Sequence, residues 1–78
     1  MNQKNLSALR KILVDSVSAA RPEYCVDVQP AARFGAIEIE IWNDETQRPD
    51  HAVALFVSES ADASEVEKQV VALVRAMP

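Results

Sequence analysis

Phe34-Gly35-Ala36-Ile37-Glu38-Ile39-Glu40-Ile41-Trp42 is the stretch that decides the fold. Ile37, Ile39 and Ile41 alternate with Glu38, Glu40 and Trp42. Strict period two with β-branched residues predicts a half-buried strand over 34–42, apolar on one face and polar on the other. On its C-terminal side, Asn43 to Pro49 reads as a polar loop. A second alternation follows over 51–58, where Val53, Leu55 and Val57 interleave with Ala52, Ala54 and Phe56. On its N-terminal side, Pro30-Ala31-Ala32-Arg33 reads as a short connection. A third strand precedes it over 23–29, with Tyr24, Val26 and Val28 on one face and Cys25, Asp27 and Gln29 on the other.

Helical spacing takes over at both ends. Leu6, Leu9, Ile12, Leu13, Val17 and Ala20 line one face of a helix predicted over 5–20. Asn5 is placed to cap it, Pro22 to end it, and Arg21 to suit the negative end of its dipole. After the break at Ser60–Ser64, the pairs Asp62/Glu65 and Ser64/Glu67 both read as helix starts. Val66, Val70, Leu73, Val74 and Met77 then line a helix to about residue 76. The predicted fold class is α+β: one domain over 1–78 in the order α-β-β-β-α. A three-stranded antiparallel sheet would carry both helices on one face, in two layers.

Register sets which side chains share a face. The expected pairing puts Ile41 opposite Val53, Ile39 opposite Leu55 and Ile37 opposite Val57. On the other flank it puts Val26 opposite Ile37 and Tyr24 near Ile39. The second face of the sheet then presents Cys25, Asp27, Glu38, Glu40, Trp42, Ala52, Ala54 and Phe56. Two helices on one side leave nothing to cover this side, and apolar surface rimmed by charge marks protein interfaces.

Composition narrows the function classes. A lone cysteine, Cys25, cannot staple the chain, which suggests a reducing compartment. The N-terminal residues lack the apolar segment of a signal peptide, and no apolar run reaches membrane-spanning length, so the expected location is cytoplasmic, with no membrane contact. Charge is uneven: residues 1–35 sum to +2 and residues 36–78 to −6. The acidic half would repel a phosphate backbone, so no direct nucleic-acid binding is expected; a basic protein surface would be attracted.

Few residues offer chemistry. His51 reads as a solvated loop histidine, with Ser58 and Ser60 at the far end of its strand. Cys25, expected beside Glu38, would have a raised pKa and little reactivity. Glu38 and Glu40 point the same way and need a third ligand, such as Asp27, to hold a cation. Glu59, Asp62, Glu65 and Glu67 suit the positive end of the second helix dipole. No Gly-rich phosphate loop, zinc spacing or serine elbow is present. The expectation is therefore no catalytic residue, no cofactor and no metal.

The α-β-β-β-α order, with Pro22-Glu23-Tyr24-Cys25-Val26 entering the first strand, resembles the layout of double-stranded-RNA-binding domains. That family carries a Lys-rich start to its second helix and a histidine in the loop after its first strand. Here those places read Ser64-Glu65-Val66-Glu67 and Pro30-Ala31-Ala32-Arg33. The resemblance implies the architecture and not RNA binding.

The function expected from these residues is a small acidic, non-enzymatic protein-interaction domain. Its partner is a protein, and a homodimer formed through the open sheet face is the leading form. Trp42 and Phe56 would anchor the contact; Ala54 and Cys25 would lie within it, and Glu38 and Glu40 would set orientation. The alternative is a mobile-element-type inhibitor whose acidic half imitates nucleic acid and blocks a basic nucleic-acid-binding protein. A third reading is a pocket completed by dimerisation, holding Asp27, Glu38 and His51.

Overall fold

A computed structural model describes residues 3–78, with side chains from Asn5 onward. The order is α1 (Gln3–Ala20), β1 (Tyr24–Pro30), β2 (Ala36–Asn43), a 3-10 turn (Pro49–His51), β3 (Ala52–Ser58) and α2 (Ala63–Ala76). The strands form one antiparallel sheet in the order β1-β2-β3. This is the expected α+β layout, with element ends moved by a residue or two.

The isoleucine strand behaves as its period dictates. Ile37, Ile39 and Ile41 are buried, and they meet Val57, Leu55 and Val53 in the expected register. They pack against Leu9, Leu13 and Val17 of α1 and against Val66, Val70 and Val74 of α2. Each buried aliphatic side chain contributes about 1.5–3 kcal/mol relative to exposure. Ile12, expected in the core, is 37% exposed. The buried stripe runs Leu6-Leu9-Leu13-Val17, and Ile12 lies at its margin on the helical wheel.

Two end assignments change. Asn5 does not cap α1, because the helix is already under way at Gln3. Arg21 does not serve the end of α1; its guanidinium reaches the C-terminus of α2. Nη1 donates to the Val74 carbonyl at 3.2 Å and the Met77 carbonyl at 2.6 Å, and Nη2 to the Pro78 oxygen at 3.1 Å. A helix leaves its last carbonyls without intrahelical donors, and a planar fork of N–H groups answers several at once. Tyr24, under that guanidinium at 4.7 Å, adds its own hydroxyl to the Pro78 oxygen at 2.5 Å.

The pairing of β1 with β2 differs from the expected register. Val26 lies opposite Ile41, Val28 opposite Ile39 and Pro30 opposite Ile37. The hairpin turns later than Pro30–Arg33: Ala31 N–H donates to the Ala36 carbonyl at 3.0 Å. The turn falls where Gly35 adopts φ +79, a conformation that side chains resist. Pro30 is tolerated inside β1 because it lies on an edge strand. Phe34, expected to open the central strand, is instead in the turn and 99% exposed. The change in register is even, so every side chain keeps its expected face.

The helix layer does not cover the sheet evenly. α1 packs on β1 and beside α2, and Ser16 Oγ donates to Glu67 Oε2 at 2.7 Å between the helices. The residues β3 turns toward the helices, Val53, Leu55 and Val57, remain only half-buried.

Candidate protein-docking face

The side of the sheet away from the helices is built by the alternate residues of all three strands. Its rungs follow from the register. Trp42 sits between Cys25 and Ala52, Glu40 between Asp27 and Ala54, and Glu38 between Gln29 and Phe56. Among the described residues, no helix lies across it. Phe56 is 65% exposed, Ala52 and Ala54 are exposed, and Trp42 and Cys25 are half-buried.

Trp42 and Phe56 share the face but occupy different ends. They are separated by the Glu40–Ala54 rung, and at about 3.4 Å per residue they stand on the order of 14 Å apart along the strands. Two shallow depressions match these ends. One, of about 380 Å³, is lined by Glu40, Trp42, Ala52 and Ala54 together with Ile41 and Val53. The other, of about 460 Å³, is lined by Phe56, Ala31, Ala32, Arg33 and Ala36. Small side chains make both: alanine beside an aromatic ring leaves a recess that a partner side chain can fill.

The acids between them are organised by polar neighbours. Gln29 Nε2 donates to Glu38 at 2.8 Å and to Glu40 at 3.3 Å, bridging the two carboxylates. Asp27 faces Glu40 across the strands, a like-charge pairing that costs energy in isolation. Arg10 of α1 offsets it: Nε sits 3.2 Å from Asp27 Oδ1, and Nη2 donates to the Val28 carbonyl. Trp42 Nε1 has a long contact of 3.4 Å to Asp44 Oδ1, leaving the indole ring on the open side.

The residues singled out for chemistry do not converge. Cys25 lies beside Trp42, not Glu38. Its thiol is pushed up from the ordinary value, first by burial and then by the Asp44 carboxylate, which disfavours the thiolate. His51 is not a solvated loop residue. Its side chain is only 17% exposed, and Nδ1 lies 2.9 Å from Thr46 Oγ1. That contact folds the β2–β3 loop on itself, alongside Asn43, whose side-chain oxygen accepts from Glu45 N–H at 2.9 Å and Thr46 N–H at 3.0 Å. Asp27, Glu38 and His51 are thus engaged by Arg10, Gln29 and Thr46. Among the described residues, no three His, Cys, Asp or Glu side chains gather at metal-ligand spacing.

Phe34 is the exposed residue that the strand reading placed wrongly. The only glycine in the chain follows it, and a glycine beside a polar, small-residue connection is a turn signal that moves the strand start past it. No described helix is long and apolar enough to cross a membrane. Among known proteins, the chain matches no family model, no curated relative and no solved structure.

Proposed function

We propose that the chain is a non-enzymatic protein-interaction domain that docks a protein partner, in the first place a second copy of itself, on the open face of its sheet. The observation that carries this reading is the uncovered face. Two helices occupy the opposite side, and Phe56 and the alanines beside it stand in solvent. Apolar recesses flanked by charge are where aromatic anchors of a partner gain most from desolvation. In a face-to-face homodimer Glu38 and Glu40, on the central strand between the two aromatics, would repel their own counterparts, so they belong opposite Arg33 or Arg48 of the second copy. The lone, unreactive Cys25 fits a reducing, cytoplasmic setting.

Sedimentation equilibrium over a wide concentration range tests the reading. The expected result is a mass that rises with concentration, with association weakened at least tenfold by Trp42→Ala. A strict monomer at high concentration, unchanged by that substitution, rules out self-association through the face. Binding to a basic protein that collapses with salt and ignores Trp42→Ala would favour the acidic surface as an imitation of nucleic acid instead.

A further inference from the structure

The sheet has two edges, and they are treated differently. At the β1 edge, Pro30 has no N–H to offer, Tyr24 N–H donates to the Arg21 carbonyl at 3.0 Å, and the Val28 carbonyl accepts from Arg10. These are familiar ways of guarding an edge against further pairing, and they leave only a short middle stretch at Val26 with its N–H and carbonyl outward. The β3 edge, Ala52-Val53-Ala54-Leu55-Phe56-Val57-Ser58, has no charge, no proline and no bulge. A long, apolar, unprotected edge is a template for another strand.

The backbone groups of that edge can be assigned. Glu59 N–H donates to the Gly35 carbonyl at 2.9 Å, at the end of the β2–β3 ladder. In an antiparallel ladder, residues alternate in the direction of their backbone bonds. Val53, Leu55 and Val57 therefore bond toward β2, while Ala52, Ala54, Phe56 and Ser58 point their N–H and C=O groups outward. Two of those outward groups are already used by the flanking turns. Ala52 N–H donates to the Pro49 carbonyl, and the Ser58 carbonyl accepts from Ala61 N–H at 3.0 Å. Among the described residues, the Ala52 carbonyl, the Ser58 N–H and both groups of Ala54 and Phe56 have no partner in the chain.

We infer that β3 pairs antiparallel with β3 of a second copy, about a two-fold axis at Leu55, joining two sheets into one of six strands. The pattern of used and unused groups selects this register. Ala54 and Phe56 exchange both bonds with the partner's Phe56 and the partner's Ala54. The Ser58 N–H meets the partner's Ala52 carbonyl, and the symmetric bond forms in return. The Ala52 N–H and Ser58 carbonyl, both already engaged, face one another across the axis, so no free group is set against an occupied one. Moving the axis to Ala54 or Phe56 breaks that match.

Side chains agree with the register. On the helix side, Leu55 meets the partner's Leu55 and Val53 meets the partner's Val57, as close pairs without direct backbone bonds. These are the residues the helix layer leaves half-buried. On the open side, Phe56 lies beside the partner's Ala54, where the small side chain admits the ring. The charge distribution agrees as well. The stretch before β3 holds Arg48 against Asp50 at 3.0 Å, whereas the stretch after it leads to Asp62 and Glu65 at the start of α2. Antiparallel pairing keeps the two acidic ends apart; parallel pairing would set them side by side.

The edge uses the outward backbone groups of Ala54 and Phe56, whereas the docking face uses their side chains, and this inference stands whether or not that face binds. Ala54→Pro is the direct probe. It removes an outward N–H without touching a β2–β3 bond, and proline is tolerated at such edge positions. Sedimentation equilibrium and circular dichroism of the full chain carrying Trp42→Ala, which silences the face, are expected to show a dimer that a further Ala54→Pro, still folded, weakens at least tenfold. Amide hydrogen exchange supplies a readout that needs no variant. The Ala54 and Phe56 N–H groups are expected to be protected, increasingly so with protein concentration. An assembly that survives Ala54→Pro but dissociates on Trp42→Ala overturns the edge and leaves the face standing. A strict monomer, or oligomer whose Ala54 and Phe56 amides exchange at solvent rates, overturns the edge as well.

Discussion

Asp62 shows how far a single residue can be read. It closes the N-terminus of α2, accepting from Ser64 N–H at 2.8 Å and Glu65 N–H at 3.4 Å, and from the Ser64 hydroxyl at 2.6 Å. Its carboxyl is held below the ordinary value, chiefly by the Ser64 hydroxyl bond and then by the two backbone N–H groups. A folded-state pKa below the unfolded one adds stability that is present above about pH 3.9 and lost as pH falls through the folded value. Asp62→Ala is therefore expected to lower the melting temperature at neutral pH, and the gap to wild type should narrow on acidification. A gap that stays constant from pH 7 to pH 2 in thermal unfolding would contradict the capping role. The sequence offers this cap as one of two, beside Ser64, because capping is local and spans three residues of one segment; the structure selects Asp62. His51 was not legible in the sequence. Its ring is shielded by a loop that curls back onto Thr46, and the path of a loop is not encoded in any local period.

Between elements, Arg21 does the most. It lies between α1 and β1 in sequence, yet it caps α2, more than fifty residues on, and covers the Tyr24 ring. Arg21→Ala should destabilise the fold by about 1–3 kcal/mol, because it strands the terminal carbonyls of α2 as well as losing the bonds. Arg21→Lys should recover little, since one ammonium cannot span the three oxygens that the fork reaches. Chemical denaturation of the three proteins measures both effects, and a Lys variant as stable as wild type would show that charge alone suffices. Reading along the chain assigned Arg21 to the nearest helix end, α1, because the dipole rule looks only at neighbours in sequence. The β1–β2 register escaped for a similar reason. Alternation fixes the parity of a strand pair but not its offset, which is set by the turn at Gly35 and its closing bond from Ala31 N–H to the Ala36 carbonyl.

On the scale of the whole molecule, one thin core carries the fold. Ile39 lies at its centre, fully buried, between Val28 and Leu55 on the neighbouring strands. A domain of this length draws roughly 3–5 kcal/mol from a single core. Ile39→Ala removes about 2–5 kcal/mol through lost burial and the cavity left behind. The variant is expected to lose most of its cooperative thermal transition in calorimetry; a melting temperature within a few degrees of wild type would place the stability elsewhere. A core this small also explains why half-buried β3 matters, since association on that strand would add burial that one chain lacks. The strand order, the inward isoleucines, the outward Glu38, Glu40, Trp42 and Phe56, and the two helices were all determined by the sequence alone. The strand order rests on the short connections, and the rest on a period, two residues or 3.6, that repeats within one segment and needs no knowledge of the others. The separation of Trp42 from Phe56, the exposure of Phe34, the capping of α2 by Arg21 and the contrast between a guarded and an open sheet edge were decided only by the tertiary structure. Those depend on where distant segments meet, and contacts between segments are set by packing and turn geometry that no local pattern contains.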